Sequence, residues 1–234
     1  MKSKFITLLA IILFVGSQLL NAQTSQTRTV SAFTEISLKI DANIHLKQGN
    51  TQAVEVKGNG ETLNRLITEV NNRKLVIKFP GDTWFTKWDP GRIDIFITIP
   101  QIDELTVSGS GSIDSKGMIH SRILNLILSG SGDMDLADLN AEKVSVVLSG
   151  SGNVKLSGSA AAAEFKVTIS GSGNVKASDF PANDVNVKIG GSGSCWVNSL
   201  KNLVAKLAGS GNVVYKGNPF IDSTILGSGN VRKQ

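Results

Sequence analysis

"LSGSGNVKLSG", residues 148–158, has the composition of a flexible linker but carries apolar residues at fixed offsets on either side of its triplet. Gly-Ser-Gly recurs at residues 109, 130, 150, 171, 191, 209 and 227, in steps of 21, 20, 21, 20, 18 and 18. A period near twenty marks a stacked solenoid, in which each repeat buries its apolar face only against its neighbours. In "LNLILSGSGDMDL" the alternate positions are Leu124, Leu126, Leu128, Gly130, Gly132, Met134 and Leu136; the next copy places Val146, Leu148, Gly150, Gly152, Val154 and Leu156 on the same track. Alternation with period two means strands with one face inside.

The opposite track carries Ser129, Ser131 and Asp133, then Ser149, Ser151 and Asn153, then Ser170, Ser172 and Asn174. It reads as a small, polar, solvated face. Two glycines in mid-strand weaken an ordinary sheet but suit a corner where the chain bends and neighbouring backbones close in. The expected corner pairs are Gly109 and Gly111, Gly130 and Gly132, Gly150 and Gly152, Gly171 and Gly173, Gly191 and Gly193, Gly209 and Gly211, and Gly227 and Gly229. The Ser, Asp or Asn that follows each triplet reads as a turn residue tolerating unusual φ. Between triplets, pieces such as "ADLNAEKVSV" are too short for a helix with its connections. The fold class is therefore all-β, a right-handed parallel β-helix, the hand that parallel crossovers take.

Upstream, "NIHLKQG", "AVEVKGNG", "KLVIKF" and "RIDIFITIP" also read as strands, and residues 60–67 as one or two helical turns. These segments are expected to open the solenoid and close one end of its core. The chain thus divides into residues 29–104, opening strands and cap, and 105–234, the repeats, within one domain spanning 23–234.

The first residues, "MKSKFITLLAIILFVGSQLLNAQ", join a basic start at Lys2 and Lys4 to an apolar run from Phe5 to Val15 and the small residue Ala22. That is the pattern of a secretory signal peptide, 1–22, with an apolar run short of the ~20 residues that span a bilayer. No later stretch is long and apolar enough to serve as a membrane helix. The expected location is the periplasm, the outer-membrane surface or the medium. Removing residues 1–22 takes two lysines and no acid from a formal charge of +5, leaving +3. So small an excess gives no reason to expect a nucleic-acid partner. Cys195 is the sole cysteine; it stands on the inward track and reads as a small buried hydrophobe.

The stretches "FTEISLKIDANIHLKQG", "KLVIKF" and "IFITIPQIDELTVSGSGSI", followed by the "SGSGN" run, resemble the "putative auto-transporter adhesin head (GIN) domain" family of exported gram-negative bacterial proteins. The resemblance covers residues 29–234. It implies a right-handed β-helix, and it carries over no catalytic residues.

Nucleotide chemistry is not supported: the Walker pattern is absent, and Asp114, Asp135 and Lys155 stand where G-x-G-x-x-G needs its third glycine. His45 and His120 are the only histidines and have no ligand spacing. In stacked register Asp114 aligns with Asp135, and Asp133 with Ser112, so the three carboxylates form either a candidate calcium site or a ladder neutralised by Lys155 and Lys176, next in the column. Beyond that calcium site no cofactor is expected. "GDTWFTKWDPG", residues 81–91, gathers Trp84, Phe85 and Trp88 in a loop, which is either a contact site or a cap over the open core. Trp196 is expected on the outward track, where a bulky aromatic is out of place. Together these features describe a non-enzymatic, exported adhesion or binding module whose partner is a glycan or protein at the cell surface. The alternatives are a β-helix polysaccharide lyase or hydrolase, and a structural envelope protein without a discrete ligand.

Overall fold

The computed structural model describes residues 24–81 and 88–234. It is 68% strand and 3% helix, a β-solenoid of about six turns, as the repeats predict. Two long parallel ladders run its length. One stacks Glu104–Gly109, Ile119–Gly130, Leu139–Gly150, Ala162–Gly171, the second half of Asn174–Gly191, the second half of Ser194–Gly209, and Phe220–Leu226. The other stacks Ser112–Ser115, Asp133–Leu136, Asn153–Ser157, the first halves of the same two long strands, Asn212–Lys216 and Asn230–Lys233.

Inward residues pile up one above another. Val107, Leu128, Leu148, Ile169, Ile189 and Leu207 form one column, and Ile113, Met134, Val154, Val175, Cys195 and Val213 another, all nearly or wholly buried. Each fully buried aliphatic side chain contributes roughly 1.5–3 kcal/mol, so a column of them welds successive coils together.

The triplets are the corners between the two ladders. At each first glycine φ is positive, for example +123° at Gly130 and +127° at Gly171. From Gly109 to Gly191 its carbonyl accepts two amides from the coil above: Gly109 O from Ser131 N and Gly132 N, both at 3.0 Å, and Gly130 O from Ser151 N at 2.9 Å and Gly152 N at 3.2 Å. A Cβ on Gly130 would lie 2.5 Å from Gly109 O, and one on Gly132 would lie 2.9 Å from Val107 Cγ1. From Gly130 onward the first glycine is thus required by backbone conformation and close approach together, the second by close approach alone, whereas Gly109 is required by its conformation only.

Two expectations are corrected. Asp133, Asn153 and Asn174 do not have positive φ; among the described residues the non-glycine ones that do are Asn72, Arg73 and Asp138. Instead the residues after the triplets form a hydrogen-bonded ladder along the corner. Ser112 Oγ donates to Asn43 Oδ1 at 2.9 Å, Asn153 Nδ2 to Asp133 Oδ1 at 2.9 Å, and Asn174 Nδ2 to Asn153 Oδ1 at 3.2 Å. Nor is the outward track uniformly polar, because Ile123 and Val147 are exposed on it. Sheet propensity favours β-branched residues on either face of a strand.

The N-terminal part opens the solenoid, but its coils are not stacked in chain order. Glu35–Leu38 pairs on one side with Lys74–Lys78 and on the other with Glu104–Gly109, and Asn43–Gln48 lies between Asp94–Ile99 and Ser112–Ser115. The first coil is therefore sandwiched between the second and the repeats. Lys74 spans this order, reaching Glu104 at 2.8 Å and Glu35 at 3.1 Å. Hydrogen bonding to Glu104, then to Glu35, raises its pKa.

Antiparallel strands seal the outer coil: Ile67–Asn71 on Lys74–Lys78, Ala53–Gly58 on Asp94–Ile99, and Thr24–Thr27 on Ala53–Gly58. Thr24–Thr27 is thus part of the cap. The helix Gly60–Arg65 completes it. Its N-cap Asn59 accepts from Glu61 N at 3.0 Å, and Glu61 meets Arg65 across one turn at 2.8 Å. Leu63 and Leu66, both buried, join the core cluster.

Candidate functional site

The register brings Asp135 beside Asp114 and Asp133 beside Ser112, as the stacked repeats predict. Each carboxylate is engaged by a different partner. Asp114 Oδ1 lies 2.6 Å from His45 Nδ1, Asp135 Oδ2 pairs with Lys155 Nζ at 2.9 Å, and Asp133 Oδ1 accepts from Asn153 N at 3.0 Å as well as from its amide nitrogen. His45 Nε2 stands 3.5 Å from Asp94 Oδ1, which Arg92 and Asn43 also contact. Among the described residues no group of three or more His, Cys, Asp or Glu side chains is arranged to hold a metal ion.

Trp84 and Phe85 lie outside the described residues. Trp88 is half-buried, packs edge-to-face on Phe79 with ring centroids 4.9 Å apart, and lies under the Arg65 guanidinium, also at 4.9 Å. Thr62 Oγ1 donates to Pro90 O at 2.7 Å. This end of the aromatic loop is fastened to the cap helix.

Trp196 occupies a different setting. It is on the outward face, half-buried, and lines a groove of about 270 Å³ with Lys155, Leu156, Ser157, Lys176, Ser178 and Asp179. The register explains the groove. Asp135, Lys155, Lys176 and Trp196 are consecutive members of one outward column, so the ring stands next to a run of ammonium groups. After Lys155 the ladder slips, pairing Ser157 with Asp179, and a second slip follows Ala177. These bulges leave a concavity beside the ring instead of a flat sheet. Asp179 at the far wall is held by Lys216 at 3.2 Å. Lys176 has no ion-pair partner among the described residues. The arrangement can offer a flat π surface, a cation and hydroxyl groups to one ligand. The sequence places Trp196 outward and Lys155 and Lys176 in one column; it does not reveal the slips that hollow the surface.

Cys195, next to Trp196, points the other way and is fully buried, and burial pushes its thiol pKa far up. It is inert packing, not a nucleophile.

Comparison with known proteins follows this geometry. The profile of the family described as "putative auto-transporter adhesin, head GIN domain" matches residues 32–219. The chain belongs to this family. Among solved structures, a "putative adhesin" from Bacteroides fragilis superposes with a TM-score of 0.82 at 22% identity, covering 91% of this chain and 97% of that one. A "putative lipid binding protein" from Parabacteroides distasonis gives 0.74 at 24% identity, over 91% and 96% of the two chains. A "putative adhesin" from Parabacteroides merdae gives 0.69 at 22% identity, again over 91% and 96%. At these identities the likeness is one of fold. No curated protein matches the chain. The family's description is that of an adhesin head, and no helix among the described residues is long and apolar enough to cross a membrane.

Proposed function

We propose that the protein is an exported, non-enzymatic binding module of the cell envelope, delivered by the leader at residues 1–22, and that its contact site is the Trp196 groove. The ligand class that fits is a glycan bearing a carboxylate or sulfate. A sugar ring presents an apolar C–H face that stacks on an indole, Lys176 and Lys155 attract an anionic substituent, and Ser157 and Ser178 supply hydroxyls for the remaining polar groups. The observation that carries the reading is Trp196 itself, an aromatic ring at an outward position beside a cation without an ion-pair partner among the described residues.

The polysaccharide-cleaving alternative needs convergent acids in a cleft, whereas Asp114, Asp133 and Asp135 are each committed to a separate neighbour. Binding to an array of neutral, uronate-bearing and sulfated glycans tests the proposal. Retention of acidic glycans by the native protein, lost at least tenfold in Trp196→Ala and in Lys176→Glu at unchanged melting temperature, is the expected result. Equal binding by native and variant proteins would remove the groove as the contact site.

A further inference from the structure

The coil of Phe220–Leu226 presents an edge that no other described residue covers. Phe220–Leu226 stacks on Ser194–Gly209, and among the described residues no strand pairs with its far side. Phe220 is 76% and Leu226 70% exposed; Ile221 and Ile225, which continue the inward columns of Leu203 and Leu207, are 37% and 39% exposed. A bare edge with apolar side chains is a template for pairing with another strand.

The orientation of the free backbone groups follows from the ladder. Asn125 N donates to Asp103 O at 2.9 Å, and Ser210 N to Gly191 O at 3.0 Å, so residues with outward side chains aim their amides at the preceding coil. Residues with inward side chains aim theirs at the following one, as the Gly109 and Gly130 carbonyls do. On the terminal strand the amide and carbonyl of Ile221, Ser223 and Ile225 therefore face the open end.

The sequence of this strand, Phe-Ile-Asp-Ser-Thr-Ile-Leu, has its four apolar residues placed symmetrically about its centre. Reflection through Ser223 exchanges Ile221 with Ile225, Phe220 with Leu226, and Asp222 with Thr224. In an antiparallel pair the residues directly opposite each other on alternate positions exchange both backbone hydrogen bonds. A two-fold axis through Ser223 makes Ser223 opposite Ser223, and Ile221 opposite Ile225, such hydrogen-bonded pairs, using the groups that face the open end. The same axis, normal to the sheet, keeps inward side chains inward in both molecules and sets each Phe220 beside a Leu226 outside.

We propose that this end is a two-fold interface for a second copy of the chain, formed by antiparallel pairing of Phe220–Leu226 with itself about Ser223. Such an interface is isologous and closes at a dimer instead of growing into a filament. It joins the ladder ending in Phe220–Leu226 of one molecule to the same ladder of the other as one sheet, and continues the apolar core from one molecule into the next. The Trp196 groove lies on the other ladder, so the proposal is independent of the ligand.

Sedimentation of protein purified from cells expressing the full chain tests it. A dimer is expected for the native chain. Ser223→Pro is expected to be a monomer with unchanged circular dichroism, because the proline removes an amide that faces only the partner, and proline is tolerated on an edge strand whose N–H faces outward. A second variant does not depend on that one: Ser223→Cys in a Cys195→Ala background should form a disulfide-linked dimer under air, since opposed residues in hydrogen-bonded pairs have Cα atoms about 5.5 Å apart, within disulfide reach. A native monomer at the highest soluble concentration, or a dimer that survives Ser223→Pro and is not cross-linked by Ser223→Cys, would overturn the assignment.

Discussion

The two ends of the solenoid differ in how they finish the same columns of apolar residues. At the N-terminal end Leu75, Ile77, Ile95 and Ile97 are buried, because antiparallel strands pair with both ladders of the outer coil and Leu63 and Leu66 of the cap helix join the core. At the C-terminal end Ile221 and Ile225 continue such columns and remain more than a third exposed. A coil of a solenoid thus contributes its full burial only when something stacks on each side. The sealed end is made by reversing strand direction, which ends the parallel ladder, while the other end keeps the parallel pattern and its last row of hydrogen-bonding groups has no partner strand among the described residues.

The largest expected effect is at the corners of fully stacked coils. Gly152→Val drives a side chain into the Gly132 carbonyl and Leu128 below it, and denaturant melts should show a loss of roughly 3 kcal/mol or more, at the upper end for overpacking. The equivalent Gly229→Val should cost well under half of that, because the terminal coil can part from its single neighbour without disturbing the rest. Equal losses at the two glycines would mean that coils are stabilised independently of stacking.

Truncation within the columns gives the next largest contrast. Leu148→Ala should destabilise by about 2–5 kcal/mol, as for other buried leucines, whereas Ile225→Ala, examined in the monomeric Ser223→Pro background, should cost less than about 1 kcal/mol, in keeping with its exposure.

A smaller effect concerns pH and the interior of the stack. Burial raises the Cys195 pKa in the folded chain above that of an exposed thiol, near 8.5. The folded state then retains a proton that the unfolded state loses, so the stability tied to the neutral thiol is fully present below about pH 8.5 and falls by about 1.4 kcal/mol per pH unit above it. The stability difference between the native protein and Cys195→Ala should shrink accordingly between neutral and alkaline pH. A constant difference would show that the thiol is not held neutral. Smallest of all, Ser151→Ala, exposed between two compulsory glycines, should change stability by no more than ~0.5 kcal/mol.

How much of this was legible in sequence varies with how local the cause is. The period of the triplets and the alternation around them reveal the strands, the corners, the inward column containing Cys195 and the pairing of Asp114 with Asp135, because stacking repeats fixes register directly. The position of Glu35–Leu38 between Lys74–Lys78 and Glu104–Gly109 was not legible. Non-repeating strands carry no mark of which neighbour they take, and the inverted order is determined by tertiary packing of the cap. The role of the Asn and Asp residues after the triplets escapes the sequence for a related reason: their side chains bond along the solenoid axis to the neighbouring coil, not to their own turn. Likewise, Trp196 was visible as an outward aromatic, but the slips after Lys155 and Ala177 that form its groove arise from insertions whose placement only the stacked coils reveal.

The contrast between a sealed and an unsatisfied end is tested most directly by amide hydrogen exchange, residue by residue, in the monomeric Ser223→Pro variant. Amides of Leu75 and Ile77 should be strongly protected. On the terminal strand protection should alternate, with Asp222 and Thr224, bonded to the coil beneath, exchanging slowly and Ile221 and Ile225, directed at the open end, exchanging at nearly unprotected rates; in the native protein all of these should be slow. Uniform protection along Phe220–Leu226 in the monomer, or fast exchange at Leu75 and Ile77, would contradict the account.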